Sequence, residues 1–209
     1  DATLRLVTLA HELGIQKIIV FSSAAASKEH LTPYSESKLE MENELQKLPF
    51  TVVIIRPTLV YSKGSKYILG MQKFCELPLP IIPLPGGETA DLKPIHASDI
   101  GKGLLALLSE KNPYPKKTIT FDFASTQSFT LADAIRIIAQ QKNISKPIVS
   151  FPARILFVLD VAYALRLPFS ARLSRLAAAA DSYRVNPLPF MQTYGVVFSN
   201  PHERFPTCV

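Results

Sequence analysis

The sequence predicts an α/β fold built on a parallel sheet, and three observations favour that class. Two mostly apolar runs of strand length, residues 17–21 and 50–55, flank a segment with helical periodicity at 32–48. Serines follow the first run, and Arg56-Pro57-Thr58 closes the second. In a strand, helix, strand unit of this kind the two strands run parallel, and their carboxyl ends share one edge of the sheet. We therefore expect the reactive groups at that edge.

The chain opens with a predicted helix and strand. Apolar residues recur at helical spacing over residues 2–13, and Gly14 supplies the left-handed residue that often follows a helix end. The strand at residues 17–21 comes directly afterwards. Because its apolar run is continuous, we expect it to be buried on both faces rather than to alternate as an edge strand does.

The second helix is predicted to begin with Thr32 as its cap and Pro33 in its first turn, and to end near Leu48. Later segments follow by the same reasoning: a helix at 99–110, a strand with alternating apolar residues at 118–124, a helix at 130–141 and an apolar helical region at 152–181. Residues 77–87 are too rich in proline for a helix or a central strand. We predict an extended loop there, at the edge of a cleft.

Composition limits the classes of function. With 209 residues and 47% apolar content, the chain can bury a substantial core. The net charge is +6, but the basic residues are scattered among acidic ones, which argues against nucleic-acid binding. Two distant cysteines and four histidines without ligand spacing predict neither a disulfide nor a metal site. No secretory signal is recognisable, and we predict a cytoplasmic protein.

The most informative motif places Tyr34 and Lys38 one helical turn apart, shortly after Ser22-Ser23. A free phenol has a pKa of about 10, and a permanent cation nearby favours the phenolate that can act as a base. Lys38 falls on the same stripe as the apolar residues Met41, Leu45 and Leu48, where an ammonium group is costly unless it has a task. The pattern predicts proton transfer at an alcohol or ketone, with Ser23 orienting the substrate oxygen.

The eight glycines, in contrast, never form the Gly-x-Gly-x-x-Gly turn on which a dinucleotide-binding unit receives pyrophosphate. The sequence therefore predicts the proton-transfer residues of a redox site but not the glycine-rich turn that binds the cofactor pyrophosphate. The chain starts inside a predicted helix, and we expect preceding sequence to supply that turn.

Four segments, in this order, resemble the extended short-chain dehydrogenase/reductases, including the NAD-dependent epimerase/dehydratase group. They are Phe21-Ser22-Ser23-Ala24-Ala25-Ala26, the segment from Tyr34 to Lys38, Ile55-Arg56-Pro57-Thr58-Leu59-Val60-Tyr61 and Pro94-Ile95-His96-Ala97-Ser98-Asp99-Ile100. The resemblance covers residues 1–141. It implies a Rossmann-like sheet that is incomplete at its amino-terminal side, with a small, mostly helical substrate lobe.

The resemblance also implies residue roles. The catalytic residues would be Ser23, Tyr34 and Lys38. NAD or NADP would be bound by Tyr34 and Lys38 together with Ser22, Pro57 and Thr58. The substrate-binding residues would be Ser23, Leu59 and Lys93.

Two departures from the family pattern affect the substrate. Ser62-Lys63-Gly64 stands where the family usually has Gly-Pro, and Leu92-Lys93 stands where nucleotide-sugar epimerases often carry a diphosphate-binding arginine. Lys93 would replace that arginine only as a point charge. Arg56 is expected to anchor its loop as readily as to bind ligand, and His96 and Asp99 to order a helix start.

The sequence thus predicts an NAD(P)-dependent epimerase, dehydratase or reductase acting on a small molecule like a nucleotide sugar. A non-catalytic binding or assembly subunit, or an inactive fragment, remains the alternative. The predicted domains are residues 1–150, with lobe segments interleaved at 62–98, and a helical lobe at 151–209. Peripheral membrane contact through the carboxyl-terminal helices and a homodimer are further alternatives for its partners.

Overall fold

The structure is a computed structural model, and it describes residues 2–28, 32–85, 91–109, 114–151 and 183–209. The chain divides into two compact units. The first takes its residues from 1–60, 94–126 and 183–199, and the second from 61–93, 127–182 and 200–209. The predicted domain boundaries stay a prediction, since much of the predicted carboxyl-terminal lobe, 152–182, lies outside the described residues.

A parallel three-stranded sheet forms the centre of the first unit. Its strands are β1 (Ile18–Phe21), β2 (Val52–Pro57) and β6 (Ile119–Phe123), in the order β1-β2-β6. The helices α1 (Ala2–Glu12) and α2 (Pro33–Gln46) supply apolar residues to the core on one face. The helices α4 (Ala97–Leu108) and α6 (Leu188–Tyr194) supply the core on the other face. The short strands β3 (Val60–Tyr61) and β5 (Ile95–His96) and a 3-10 turn at Ala24–Ser27 also contribute residues to this unit.

The second unit packs helices around its own apolar core. Its elements are α3 (Lys66–Cys75), β4 (Ile82–Pro85), α5 (Leu131–Gln141), β7 (Ile148–Phe151) and α7 (Pro201–Arg204). A 3-10 turn at Phe205–Cys208 closes the chain, and Phe129 and Phe205 are fully buried in this core.

Local sequence signals place the main helices and strands correctly. Gly14 has a φ of 81° directly after α1, as expected of a residue that ends a helix in the left-handed region. Thr32 caps α2, and its side chain and that of Ser35 form a reciprocal capping box. Thr130 caps α5 in the same way with Asp133. The predicted parallel sheet and these helix starts are confirmed.

The burial predicted for β1 is wrong. Its side chains alternate in exposure, and Phe21 is 43% exposed. Among the described strands β1 has a neighbour on one side alone, β2. The unbroken apolar run correctly indicated a parallel strand, but the sequence carries no local signal for a strand's place within its sheet.

The proline-rich loop predicted at residues 77–87 is also partly wrong, because Ile82–Pro85 forms strand β4 and pairs in parallel with β7. The amide of Ile82 donates to the carbonyl oxygen of Pro147 at 2.9 Å. Since successive residues of a strand direct their backbone groups to opposite edges, the prolines at 83 and 85 fall on the edge away from β7. Proline is tolerated on an edge that makes no ladder hydrogen bonds.

Neither a helix able to cross a membrane nor a cluster of metal-ligating side chains is found among the described residues. None of the helices found there is long and apolar enough to cross a bilayer. The same residues contain no cluster of three or more histidine, cysteine or acidic side chains that could hold a metal ion.

Candidate active site

Ser22 and Ser23 lie at the carboxyl end of β1, as predicted, but they have different surroundings. Ser22 extends the ladder by donating its amide to the carbonyl oxygen of Ile55 at 2.8 Å. Its hydroxyl is buried and has no hydrogen-bond partner within the described part of the chain. Ser23 caps the 3-10 turn Ala24–Ser27, and its Oγ accepts from the amide of Ala25 at 3.2 Å. The edge therefore offers one buried hydroxyl without a described partner and one that orders a turn.

Tyr34 and Lys38 lie in the first turns of α2. Tyr34 is the second residue of the helix and is 58% exposed, whereas Lys38 is half-buried. The Nζ atom of Lys38 lies 5.9 Å from the centroid of the Tyr34 ring. Helix α2 packs against the 3-10 turn that Ser23 caps. The structure thus brings the three predicted catalytic residues onto two neighbouring elements at one edge of the sheet, and their catalytic roles remain proposals.

An ion pair that the sequence did not reveal holds α2 to the end of β2. The carboxylate of Glu42, on the buried face of the helix, accepts from Nε and from a terminal nitrogen of Arg56. Glu42 is 1% exposed and Arg56 is 21% exposed at their side chains. Hydrogen bonding to Glu42, set against partial desolvation, raises the pKa of Arg56. Arg56 therefore anchors the strand end, one of the two roles expected for it.

The segment after β2 is fixed by backbone contacts. Pro57 stands in register with Phe123, the last residue of β6. The amide of Thr58 donates to the carbonyl oxygen of Phe123 at 3.0 Å, and its buried hydroxyl lies 3.4 Å from the same oxygen. The carbonyl oxygen of Leu59 accepts from the amide of Ile95 at 2.9 Å. The loop that the resemblance assigns to the nicotinamide is thus ordered at the same carboxyl edge.

Lys93 belongs to the second unit, unlike the other predicted site residues. Its φ is 39°, in the left-handed region that is uncommon for a residue with a side chain. Its amide lies 3.3 Å from Oδ1 of Asp91, which also accepts from the amide of Phe129 at 3.0 Å. A turn built around Asp91 therefore fixes the backbone of Lys93, and its role toward substrate stays a prediction.

His96 and Asp99 order the start of α4, as expected. The imidazole of His96 accepts from the amide of Ser98 at 3.1 Å. Asp99 is fully buried and accepts from Nζ of Lys102 at 2.7 Å and from the amide of Ser199 at 3.0 Å. Burial raises the pKa of Asp99, but these hydrogen bonds outweigh burial and hold the pKa below its ordinary value.

Asp122 is a second charged residue that the sequence analysis missed. It stands in register with Arg56, so both side chains lie on the α2 face of the sheet. Its Oδ2 accepts from the amide of Asn186 at 2.9 Å, while Oδ1 is buried without a partner in the described ranges. Burial raises the pKa of Asp122, and the attraction of Arg56 offsets that effect in part. The position of Asp122 in alternation with Phe121 and Phe123 was the available signal for its burial.

The residues at this edge suit the nicotinamide end of a dinucleotide. The buried hydroxyl of Ser22 has no hydrogen-bond partner among the described residues, and the Tyr34–Lys38 pair lies on the adjoining helix. A lysine ammonium is a donor for ribose hydroxyls, and a phenol can donate or accept. The glycine-rich turn for pyrophosphate has no counterpart in these 209 residues. The residues present therefore fit the nicotinamide end of the cofactor and not its pyrophosphate.

Comparison with solved structures identifies the fold. A dTDP-glucose 4,6-dehydratase from Bacillus anthracis, solved with NAD, is 14% identical, with 99% of this chain and 64% of that chain covered at a TM-score of 0.67. A UDP-glucose 4-epimerase from Bifidobacterium longum, solved with NAD⁺ and UDP, is 15% identical, with coverages of 99% and 66% and a TM-score of 0.66. RMD from Pseudomonas aeruginosa, solved with NADPH, is 14% identical, with coverages of 99% and 70% and a TM-score of 0.67.

No protein-family model matches the sequence, and no curated protein matches it either. The similarity to solved structures shows the fold: a Rossmann-like α/β architecture with parallel strands, shared with NAD-dependent enzymes of the epimerase/dehydratase type. The chain spans about two thirds of the length of these structures.

Proposed function

We propose that this chain belongs to the extended short-chain dehydrogenase/reductase family and takes part in NAD(P)-dependent hydride transfer at a carbinol or keto carbon. The proposed substrate is like a nucleotide sugar, because two of the similar structures are a dTDP-glucose 4,6-dehydratase and a UDP-glucose 4-epimerase. A nicotinamide cofactor, when bound, supplies the hydride acceptor or donor. The protein supplies orientation, a proton carrier and a charged environment.

The observation that carries this proposal is the placement of the Tyr34–Lys38 pair. The pair lies at the start of a helix that packs against the Ser23 turn, at the carboxyl edge of a parallel sheet. Ligands of open α/β sheets bind outside that edge. A phenol, an ammonium group and a hydroxyl on adjoining elements there can bind a substrate oxygen and move its proton.

Each residue then has a distinct task in the proposal. Tyr34 exchanges a proton with the substrate oxygen, and its exposure gives a ligand access to it. Lys38 stabilises the phenolate through its charge and donates to a ribose hydroxyl. Ser23 orients the substrate oxygen, and the Ser22 hydroxyl, together with the Pro57-Thr58 segment, contacts the nicotinamide end. Leu59 and Lys93 remain proposed substrate contacts.

The test is Tyr34→Phe in the complete protein, assayed against a panel of UDP- and dTDP-hexoses with NAD and NADP. Loss of a general acid or base lowers turnover by about 10² to 10⁴-fold. Tyr114→Phe is a matched control, because the Tyr114 hydroxyl donates to the carbonyl oxygen of Ile18 at the other end of β1. Unchanged turnover in Tyr34→Phe would remove the catalytic assignment.

A binding or assembly subunit is the second candidate, because exposed apolar side chains such as Leu6, Leu9 and Leu13 favour association with another chain. Within these 209 residues, none of the eight glycines lies in a Gly-x-Gly-x-x-Gly motif. For the 209-residue chain we expect weak binding of NAD(P) or none, and isothermal titration with NADH measures this directly. A complete protein that binds NADH but converts no member of the panel would favour the non-catalytic role.

A further inference from the structure

Residues 183–186 cross the carboxyl edge of the sheet in the first unit. Ser27, in the 3-10 turn after β1, donates its hydroxyl to the carbonyl oxygen of Arg184 at 3.1 Å. Two residues later, the amide of Asn186 donates to Oδ2 of Asp122 on β6 at 2.9 Å. Because the strand order is β1-β2-β6, a segment held at both outer strands passes the end of the central one. These four residues therefore run along the edge at which the candidate site lies.

The first residue of this segment places a second phenol close to the site. The ring centroid of Tyr183 lies 4.6 Å from Nζ of Lys28, which is within cation–π distance. Burial is the main cause that raises the pKa of Tyr183, and the charge of Tyr34 is the second. Lys28 ends the 3-10 turn that Ser23 caps, and α2, which carries Tyr34, packs against the same turn, so the ring of Tyr183 lies on the side of the sheet edge where the candidate site is.

The two phenols differ in their environment. Tyr34 is 58% exposed and pairs with Lys38, whereas Tyr183 is half-buried. A protonated phenol is a hydrogen-bond donor, and burial raises the pKa of Tyr183 above its ordinary value. Tyr183 is therefore suited to binding an oxygen, while the exposed pair is suited to proton exchange.

We propose that Tyr183 is a substrate-binding residue, which donates a hydrogen bond to a sugar-like oxygen beside the carbinol or keto oxygen with which Tyr34 exchanges a proton. This inference rests on the proposed function and adds a residue that none of the four family-like motifs contains. The contacts of Ser27 and Asp122 hold the segment in place, and Lys28 lies within cation–π distance of the ring.

The experiment is Tyr183→Phe in the complete protein, which removes the hydroxyl and keeps the ring against Lys28. Loss of one hydrogen bond to substrate should raise KM for the hexose nucleotide about 3- to 10-fold and weaken its binding without turnover, measured by titration calorimetry, by the same factor. KM for NAD(P) should change less than about twofold. Tyr114→Phe, which removes a phenol hydroxyl at the opposite end of the sheet, should leave both KM values unchanged.

The outcomes separate this inference from the function on which it rests. Full turnover in Tyr34→Phe overturns the proposed function. Loss of turnover in Tyr34→Phe, combined with unchanged KM and unchanged binding in Tyr183→Phe, overturns the Tyr183 assignment alone. A lower KM in Tyr183→Phe or Tyr183→Ala would also overturn it, because the ring would then obstruct the site. A fall in kcat at constant KM would place the ring outside substrate binding.

Discussion

Glu42 is a charged residue on the buried face of α2, and its side chain is 1% exposed. Its two oxygens face the guanidinium of Arg56 at the end of β2. Breaking a buried pair by removing one partner leaves the other charge uncompensated, which costs far more than losing a surface pair. The pair therefore ties the helix that carries Tyr34 and Lys38 to the strand that leads into Pro57 and Thr58.

Glu42→Gln is expected to lower the free energy of unfolding by about 3 kcal/mol, because it leaves the Arg56 guanidinium without its counter-charge. Urea denaturation followed by circular dichroism measures the change. The control is Glu44→Gln, which breaks the Lys47–Glu44 pair, whose side chains are 69% and 49% exposed. That change should cost less than about 1 kcal/mol. Equal losses in the two variants would contradict the structural role of Glu42.

Asp122 predicts a pH dependence of stability. Its pKa in the folded protein is raised, chiefly by burial, so folding favours the neutral carboxyl. Its contribution to stability is therefore lost as the pH rises from the ordinary carboxyl value of about 3.9 through the raised folded value. Asp122→Asn keeps an acceptor for the amide of Asn186 and removes the titration.

The stability of Asp122→Asn relative to the natural chain should accordingly increase as the pH rises and then become constant. Urea unfolding of both proteins between pH 3.5 and 7.5 tests this expectation. A difference in stability that does not vary with pH would mean that the carboxylate at 122 is not penalised by burial.

At the scale of elements, small residues set the packing of α4 against β6. A Cβ atom added at Gly103 would lie 2.6 Å from Cε2 and 2.7 Å from Cζ of Phe123, a fully buried ring. The same addition at Gly101, two residues earlier on the same helix, meets nothing within 4 Å. Glycine is therefore required at 103 for α4 to approach Phe123 of β6 closely, whereas packing does not require glycine at 101.

Gly103→Ala is expected to destabilise the protein by about 1 to 3 kcal/mol, because the core must shift to accept the methyl group. Gly101→Ala is the matched control and should stabilise by about 0.5 to 1 kcal/mol, since alanine is the better helix former. Thermal unfolding of the two variants decides the sign. A gain in stability for Gly103→Ala would show that α4 has room against β6.

Local signals and tertiary context each decide particular elements. The cap at Thr32 and the proline after it fix the start of α2 by contacts within four residues, and this start was predictable. Strand β4 was not predictable. Proline disfavours a strand because it cannot donate a hydrogen bond to a neighbouring strand, and whether that donor is needed depends on which edge the partner strand occupies. The partner, β7, lies more than sixty residues away in sequence.

At the scale of the whole molecule, α1 and β1 both expose apolar side chains, and among the described strands β1 has a neighbour on one side alone. Leu6, Leu9 and Leu13 on and after α1 are 68%, 51% and 72% exposed, and Phe21 on β1 is 43% exposed. Exposed strand edges and contiguous apolar surface favour association with another chain or segment. This surface is therefore where we expect the 209-residue chain to associate with a second copy.

The 209-residue chain is expected to elute from size-exclusion chromatography as a dimer or larger species. The double change Leu6→Lys with Leu13→Lys should shift it toward the monomer, because both side chains are already solvated and the new charges oppose contact. Val197→Lys, at a residue that is 77% exposed, is the control and should leave elution unchanged. A stable monomer of the natural chain at micromolar concentration would contradict the expectation.

The sequence by itself determined the parallel strand, helix, strand unit, the caps of its helices and the spacing of Tyr34 and Lys38, because each depends on residues a few positions apart. Only the tertiary structure decided that β1 is an outer strand of the described sheet, that Glu42 pairs with Arg56, and that Asn186 contacts Asp122 at the carboxyl edge of the sheet. Contacts of this kind join residues that are 14 to more than 150 positions apart in the sequence. The strength of an ion pair, and the need of a strand edge for a partner, depend on burial, which no short stretch of sequence specifies.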